Sequence, residues 1–308
     1  MPVYAIPLAE LAHGLPPPFE RARAWCGLLE SGRILYFPKT PVSLPAVDIR
    51  YLLGCQQAGS RLHKNIAYKP DRNALSGLDR NTVSEDGRAR YREIMSRYSS
   101  AVASFLAGFL MPYREHWQLD YASFRPVEES GRQLPLHKRN DLLHTDAFPM
   151  RPTHGARILR FFHNIHPTRT RDWIVGQPFS QIVSRFTPNP LPLPRAEGIA
   201  VRCLRSFAQL TRLADVIPAL KRTPYDVFMM RLHDAMKEDA EFQRGCAREA
   251  VRFAPGSSWM VYTDTVPHAV VAGQFALEQT FLVDTRAMVC GESAPASVLE
   301  RMARTRVA

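Results

Sequence analysis

Leu142-Leu143-His144-Thr145-Asp146 is the stretch on which the reading of the fold turns. In a β-strand side chains alternate faces, so His144 and Asp146 point the same way and Leu143 the other. An imidazole nitrogen and a carboxylate oxygen then converge on one point. A second imidazole would complete a two-His-one-carboxylate set, which binds Fe(II) on one face and leaves positions open for co-substrate and O2. His-x-acid is a weak signal by itself. With 10 His and 29 Asp plus Glu in 308 residues, about one such pair arises by chance. The plain alternative is a surface strand carrying a polar His and Asp.

A third ligand should come from a distant strand. His268, in Val266-Pro267-His268-Ala269, is the best placed. It follows the apolar run 257–264 (SSWMVYTD) and precedes 274–283 (QFALEQTFLV). A His at a strand-to-turn position far downstream of the pair fits a double-stranded β-helix, a jelly roll whose core strands come from both ends of the segment. Other histidines fit less well. His163 and His166 read as turn residues in HNIHP, His154 sits in a Gly-containing turn, and His233 reads as a surface or packing residue of a helix. No HExxH, P-loop or GxGxxG occurs, so metalloprotease and nucleotide-fold readings lack support.

Outward from these ligands the chain reads as one α+β domain over 1–308. Strands are expected at 33–37, 120–127, 141–146, 156–164, 257–264 and 274–283. A helical N-terminal part (about 1–118) includes a short helix start at 48–55 and the clearest helix at 84–110. In that helix Tyr91, Ile94, Met95, Tyr98, Val102, Phe105 and Leu106 recur at helical spacing. The jelly-roll core covers about 119–176 and 251–290. A helical insert at about 177–250 separates the two halves, and within it Thr223 reads as a cap with Pro224 in the first turn. The tail, 293–306, reads as a short amphipathic helix.

Composition narrows the setting. The hydrophobic fraction is 45% and the charged fraction 22%, ordinary for a folded globular chain. No apolar run reaches the roughly 18 residues of a membrane span. The opening MPVYAIPLAELAHG lacks the pattern of a secretory signal. Five scattered cysteines without a CxxC pair argue against disulfide staples or a zinc-thiolate site and fit a reducing cytoplasm. Lys plus Arg is 40 against 29 acids, a net charge of +11. That excess suits an anionic partner, or serves solubility alone.

A His-Asp…His site with open positions suits Fe(II) and 2-oxoglutarate. The distal carboxylate of that co-substrate needs a cation, and a guanidinium matches it in bidentate fashion. Enzymes of the class often carry this Arg roughly 9–17 residues past the second His, an interval in which this chain has none. Arg286 lies just beyond it. Arg160 shares a strand face with Phe162 and Asn164, so Arg160 and Asn164 are co-substrate candidates, and Arg125 in DYASFRP is another.

The run KRNDLLHTDAFPMRPTHGARILRFFHNIHP resembles the Kdo hydroxylases, the 3-deoxy-D-manno-oct-2-ulosonic acid 3-hydroxylases of lipopolysaccharide biosynthesis. GRILYFP at 32–38, HKNIAYKP at 63–70, DYASFRPVEESGR at 120–132 and VPHAVVAGQFALEQTF at 266–281 extend the likeness in order along most of the chain. The insert carries less of it. The resemblance implies an Fe(II)/2-oxoglutarate dioxygenase with His144, Asp146 and His268 as ligands, the same positions that spacing selects. It further implies hydroxylation at C3 of a Kdo sugar on a lipid A precursor, giving Ko, with O2 and 2-oxoglutarate consumed and succinate and CO2 released. Lys138, Arg139, Arg151 and Arg157 surround the metal segment and are candidate partners for the substrate's carboxylate and phosphates; a solvated basic face is the alternative for each. The setting implied is cytoplasmic and peripheral on an anionic membrane.

Two rivals remain at this level. A nucleic-acid oxidative demethylase of the same iron class would use the +11 charge on phosphates, with Phe148, Phe161 and Phe162 as stacking candidates. No base-reading motif supports it, and those rings fit a core better, so no nucleic acid is expected. A non-enzymatic jelly-roll protein docking on anionic membranes would need no Fe(II).

Overall fold

The computed structural model describes residues 2–7, 10, 17–55, 65–78, 83–211 and 218–308. Part of the helical N-terminal expectation, the first two residues of HKNIAYKP and residues 212–217 of the insert lie outside these. Among the described residues the chain forms two β-sheets with helices packed outside them.

The large sheet holds β1 (Val3–Ala5), β2 (Ile34–Phe37), β9 (Ser258–Tyr262), β6 (Arg157–Asn164), β11 (Ala276–Val283), β5 (Trp117–Arg125), β3 (Ile66–Lys69) and β4 (Ala74–Ser76), in that spatial order. All neighbours are antiparallel except β1 with β2. The small sheet has the order β10 (His268–Ala272), β7 (Arg171–Gly176), β8 (Arg248–Phe253), also antiparallel. Expected strands at 33–37, 120–127, 156–164, 257–264 and 274–283 match β2, β5, β6, β9 and β11.

Period-two alternation decides what each strand feeds. In β9, Met260 and Tyr262 join a core against the N-terminal helices, while Trp259 and Val261 face the small sheet. In β6, Leu159 and Phe161 face the helices and Phe162 faces the small sheet. Between the sheets Trp259 stacks on Phe253 with centroids 3.8 Å apart and on Phe162 at 5.2 Å, and Trp173 meets Phe162 edge-on at 5.0 Å. Phe161 and Phe162 are thus core residues on opposite faces.

The helix-side core rests on α1 (Phe19–Glu30) and α3 (Glu85–Phe109), with α2 (Ala46–Leu53) beside them. Ser84 caps α3 by accepting from Gly87 N at 3.2 Å, and Glu85 and Asp86 sit in its first turn, where the helix dipole favours acids. The periodic face Tyr91, Ile94, Met95, Tyr98, Val102 and Leu106 is buried.

The insert contributes α4 (Phe179–Phe186), α5 (Ile199–Leu210), α6 (Pro224–Glu238) and α7 (Ala240–Gly245), then β8. Thr223 caps α6 in a reciprocal box with Asp226, with Pro224 at the first helical position. A further core joins α4, α6, α7 and the tail helix α8 (Pro295–Ala303) to Leu143 and Ala269 beside the metal segment. The insert therefore packs directly against the residues that carry the candidate ligands.

Candidate metal centre

Residues 141–146 do not form the regular strand the sequence suggests; only His144 makes a β-bridge, to His268. The other backbone groups are claimed elsewhere. Leu143 N donates to Gln243 Oε1 at 2.9 Å, Gln243 Nε2 donates to Leu143 O at 2.8 Å, and Asp146 N donates to Thr263 O at 2.8 Å. The segment is thus pinned to the small sheet at His144 and, two residues on, to the end of β9 in the large sheet. The alternation survives without the ladder: Leu143 is buried in the insert core while His144 and Asp146 share the other side.

His144 Nε2 lies 4.0 Å from Asp146 Oδ1, and His268 Nε2 lies 4.0 Å from Asp146 Oδ2. One ligand atom from each of the three residues falls within 4.8 Å of the others, the one such group of His, Cys, Asp and Glu among the described residues. Each imidazole is oriented by its own chain. His144 Nδ1 donates to Leu142 O at 2.7 Å and His268 Nδ1 to Val266 O at 2.9 Å, which leaves both Nε2 lone pairs for a metal. Trp173 stacks on His268 with centroids 5.1 Å apart.

The electrostatics suit ligation. Burial pushes both imidazoles below the usual His range, and for His144 the neighbouring His268 adds to this. Burial alone would raise the Asp146 carboxyl, but Arg160, then His268 and His144, hold it well below the usual carboxylate range. The site thus presents two neutral imidazoles and one carboxylate at neutral pH. Asp146 Oδ2 is buried and makes no hydrogen bond of good geometry; its close neighbours are the Arg160 guanidinium at 3.2 Å and His268 Nε2 at 4.0 Å, which leaves acceptor capacity that a metal ion would fill. This donor set fits Fe(II), with one face left open.

A cavity of about 690 Å3 opens on His144 and Asp146 and is walled by Arg125, Arg132, Lys138, Arg160, His233 and Lys237, among others. Arg160 on β6 reaches Asp146 Oδ2 at 3.2 Å and Glu278 Oε1 at 3.0 Å. Arg125 on β5 donates through Nε to Glu278 Oε2 at 2.9 Å. Glu278, on the intervening strand β11, therefore ties both guanidiniums together. Behind them, Gly273 (φ +123) offers its carbonyl to Arg171 Nη1 at 3.1 Å and its N–H to Glu128; a Cβ there would sit 2.8 Å from the Arg171 side chain.

Other expected site residues lie elsewhere. Arg157 is fully buried on the helix-side face of β6, with Nε 2.8 Å from Asp264 Oδ2 and its plane over Tyr262. It stands an odd number of residues from Arg160, so the pleat sends the two to opposite faces. Asn164 does share the Arg160 face, but four residues along a strand is about 13 Å. There its amide donates to Arg169 O at 2.9 Å and Phe253 O at 3.1 Å, closing a turn. Arg286 is exposed and paired with Asp284, on a separate cleft with His116 and His154. Arg139 pairs with Asp141 at 2.6 Å. Arg151 pairs with Asp120 and lies over the Tyr121 and Phe148 rings. Lys138 lines the cavity rim and is exposed.

Four histidine placements are informative. His166 is a turn residue whose Nδ1 accepts from Thr168 N and Arg169 N, and His154 (φ +53) also sits in a turn. His163 is instead buried on β6. His233 is not a surface residue: its ring lies 5.0 Å from His144, and Nδ1 donates to Thr145 O at 2.8 Å. Sequence reasoning missed Lys237 and Glu278 as well. The signals were an i, i+4 His–Lys pair on α6 and a lone acid inside the apolar run of β11.

Comparison with known proteins bears on the family to which the chain belongs. No curated protein matches the chain. A crystal structure of the Kdo hydroxylase KdoO, a non-heme Fe(II) alphaketoglutarate dependent dioxygenase in complex with alphaketoglutarate and Fe(III), is 32% identical, with 100% of this chain and 97% of that chain covered and a TM-score of 0.82. The cobalt(II) complex is also 32% identical at the same coverage, with a TM-score of 0.83. The apo structure is 31% identical, again with a TM-score of 0.83. The family model for 3-deoxy-D-manno-oct-2-ulosonic acid (Kdo) hydroxylase matches residues 17–306, and the chain belongs to that family.

Proposed function

We propose that this enzyme hydroxylates C3 of a Kdo sugar carried on a lipid A-type precursor, using Fe(II), 2-oxoglutarate and O2. The observation that carries this reading is the triad of two buried, neutral imidazoles and one ionised carboxylate, with His144 and Asp146 opening on a cationic cavity. His144, Asp146 and His268 would hold the iron, and Arg125 and Arg160 would hold the carboxylates of 2-oxoglutarate. The two sheets are read as the walls of a double-stranded β-helix. Bound iron with its co-substrate supplies the oxidising chemistry. The protein's own part is to keep both imidazoles neutral, to fix their Nε2 lone pairs by backbone carbonyls, and to present the substrate C–H in a walled cavity. The experiment is succinate release from the Fe(II)-loaded enzyme with a Kdo–lipid A glycolipid. Stimulation by the glycolipid supports the assignment; iron binding without stimulation overturns the substrate and keeps the site.

The same reading places the enzyme on the cytoplasmic face of an anionic membrane. No described helix is long and apolar enough to cross a membrane. The support for surface docking is α5, where Val201, Leu204 and Phe207, spaced by three, are 53%, 55% and 60% exposed. Beside them an apolar cleft of about 550 Å3 is edged by Arg195, Arg222 and Arg231. An apolar stripe flanked by arginines suits the headgroup boundary of an anionic bilayer. Cosedimentation with phosphatidylglycerol vesicles tests it: the pair Leu204→Ser with Phe207→Ser should abolish binding, and undiminished binding removes α5 from the docking surface.

A further inference from the structure

Helix α6 presents His233 and Lys237, one turn apart on one face, to the same cavity as His144 and Asp146. Lys237 is only 4% exposed. Its ammonium donates to His137 O at 2.8 Å, and among the described residues no carboxylate reaches ion-pair distance of it. Asp146, Asp234 and Asp141 act on it only from further away. Taking an ammonium out of water is costly unless a counter-charge is close, and one backbone carbonyl is a weak substitute. The other cations of the wall are already engaged or exposed. Arg125 and Arg160, tied to Glu278 and Asp146, are the residues read above as holding 2-oxoglutarate, Arg132 stands 3.7 Å from Glu129, and Lys138 is at the open rim.

We infer that Lys237 is the cation that receives the carboxylate of the acceptor sugar beside the iron, with His233 Nε2 accepting from a neighbouring sugar hydroxyl. The inference rests on the Kdo reading of the site. In an ulosonic acid the carboxylate carbon is joined to C2, and C2 is joined to the deoxy carbon C3. Any pose that brings C3 to the metal therefore carries the carboxylate into the same cavity. It needs a cation that is near the ligands and not already neutralised. Lys237 satisfies both conditions, because it belongs to the helix whose His233 ring touches His144. His233 has its Nδ1 hydrogen committed to Thr145 O, so Nε2 is left as an acceptor. Burial draws the Lys237 ammonium down to about 8, and a carboxylate placed beside it would favour the charged form.

The test is anaerobic equilibrium binding to the Fe(II)–2-oxoglutarate enzyme, so that no turnover enters the readout. The probes are the methyl glycoside of Kdo and its C1 carboxamide, which has the same shape without the charge. The wild type should prefer the acid by on the order of 30-fold or more, the scale of a buried charge pair. Lys237→Gln keeps a donor for His137 O and removes the charge, so it should bind the two probes alike. Lys237→Arg should restore the preference. A Lys237→Gln enzyme that still prefers the acid as the wild type does overturns the inference and leaves the Kdo reading standing. A wild type that does not distinguish the probes also overturns it, whatever the variants do. A wild type that binds neither probe overturns the Kdo reading itself.

Discussion

His144 and His268 exchange both backbone hydrogen bonds, His144 N to His268 O at 3.2 Å and His268 N to His144 O at 3.0 Å. A single bridge between segments far apart in sequence thus sets the spacing of the two imidazoles. The side chains are held by local carbonyls, so the ligand pair is fixed by backbone before any metal arrives.

His144→Ala and Asp146→Ala should each lose Fe(II) binding and turnover to background while the fold persists. The backbone pins of the segment do not use these side chains, and iron chemistry needs the full face of ligands. Iron titration and circular dichroism on the same samples check this. Full activity in either variant would remove that residue from the iron site.

Glu278→Gln should destabilise the protein by about 3–5 kcal/mol and raise the KM for 2-oxoglutarate. Arg125 and Arg160 would be left as buried guanidiniums without their shared carboxylate, and breaking one member of a buried ion pair costs that much. Urea unfolding gives the first number and initial-rate kinetics the second. An unchanged KM would separate Arg125 and Arg160 from the co-substrate.

Arg157 gives a contrasting case. Arg157→Met should destabilise by about 3–5 kcal/mol because it strands the buried Asp264. The pair Arg157→Met with Asp264→Leu should recover most of the loss, since replacing both partners by apolar groups is often neutral. Glycolipid KM in the double variant should stay near wild type. A rise specific to the glycolipid would return Arg157 to substrate binding.

Acid sensitivity should come partly from His163. Burial holds its imidazole down at about 4, against an ordinary value of 6.5. Above pH 6.5 it is neutral in both states and its full contribution to stability is present. Between about 6.5 and 4 the unfolded chain takes up a proton that the folded chain refuses, so stability falls as the pH falls, by about 2 kcal/mol from pH 7 to 5 for a shift of this size. Below about 4 the loss levels off. Urea midpoints for wild type and His163→Leu at these two pH values measure it; equal falls in both would acquit His163.

The triad was legible because its chemistry is written in short local patterns, a His-x-Asp pair and a His between two apolar runs. Strand phase separates Arg160 from Arg157 within the expected strand 156–164, which β6 matches, but which of its two faces meets the cavity depends on how the sheet packs. The small sheet was harder to see. β8 (REAVRF) is a largely exposed strand at the sheet edge without a clean apolar face, and β10 has only five residues. β7 did carry a signal: Arg171, Trp173 and Val175 alternate inward. The 141–146 segment looked like a strand because its side chains alternate, whereas its hydrogen bonds go to Gln243, Thr263 and His268. His233, Lys237 and Glu278 depend on where α6 and β11 come to rest, which one-dimensional spacing does not encode.

The most direct measurement is the structure of the product from a single turnover under 18O2. The account predicts one labelled oxygen at C3 of the Kdo residue, with one succinate formed for each product. Succinate formed without modified sugar, or a label at any other carbon, would contradict it.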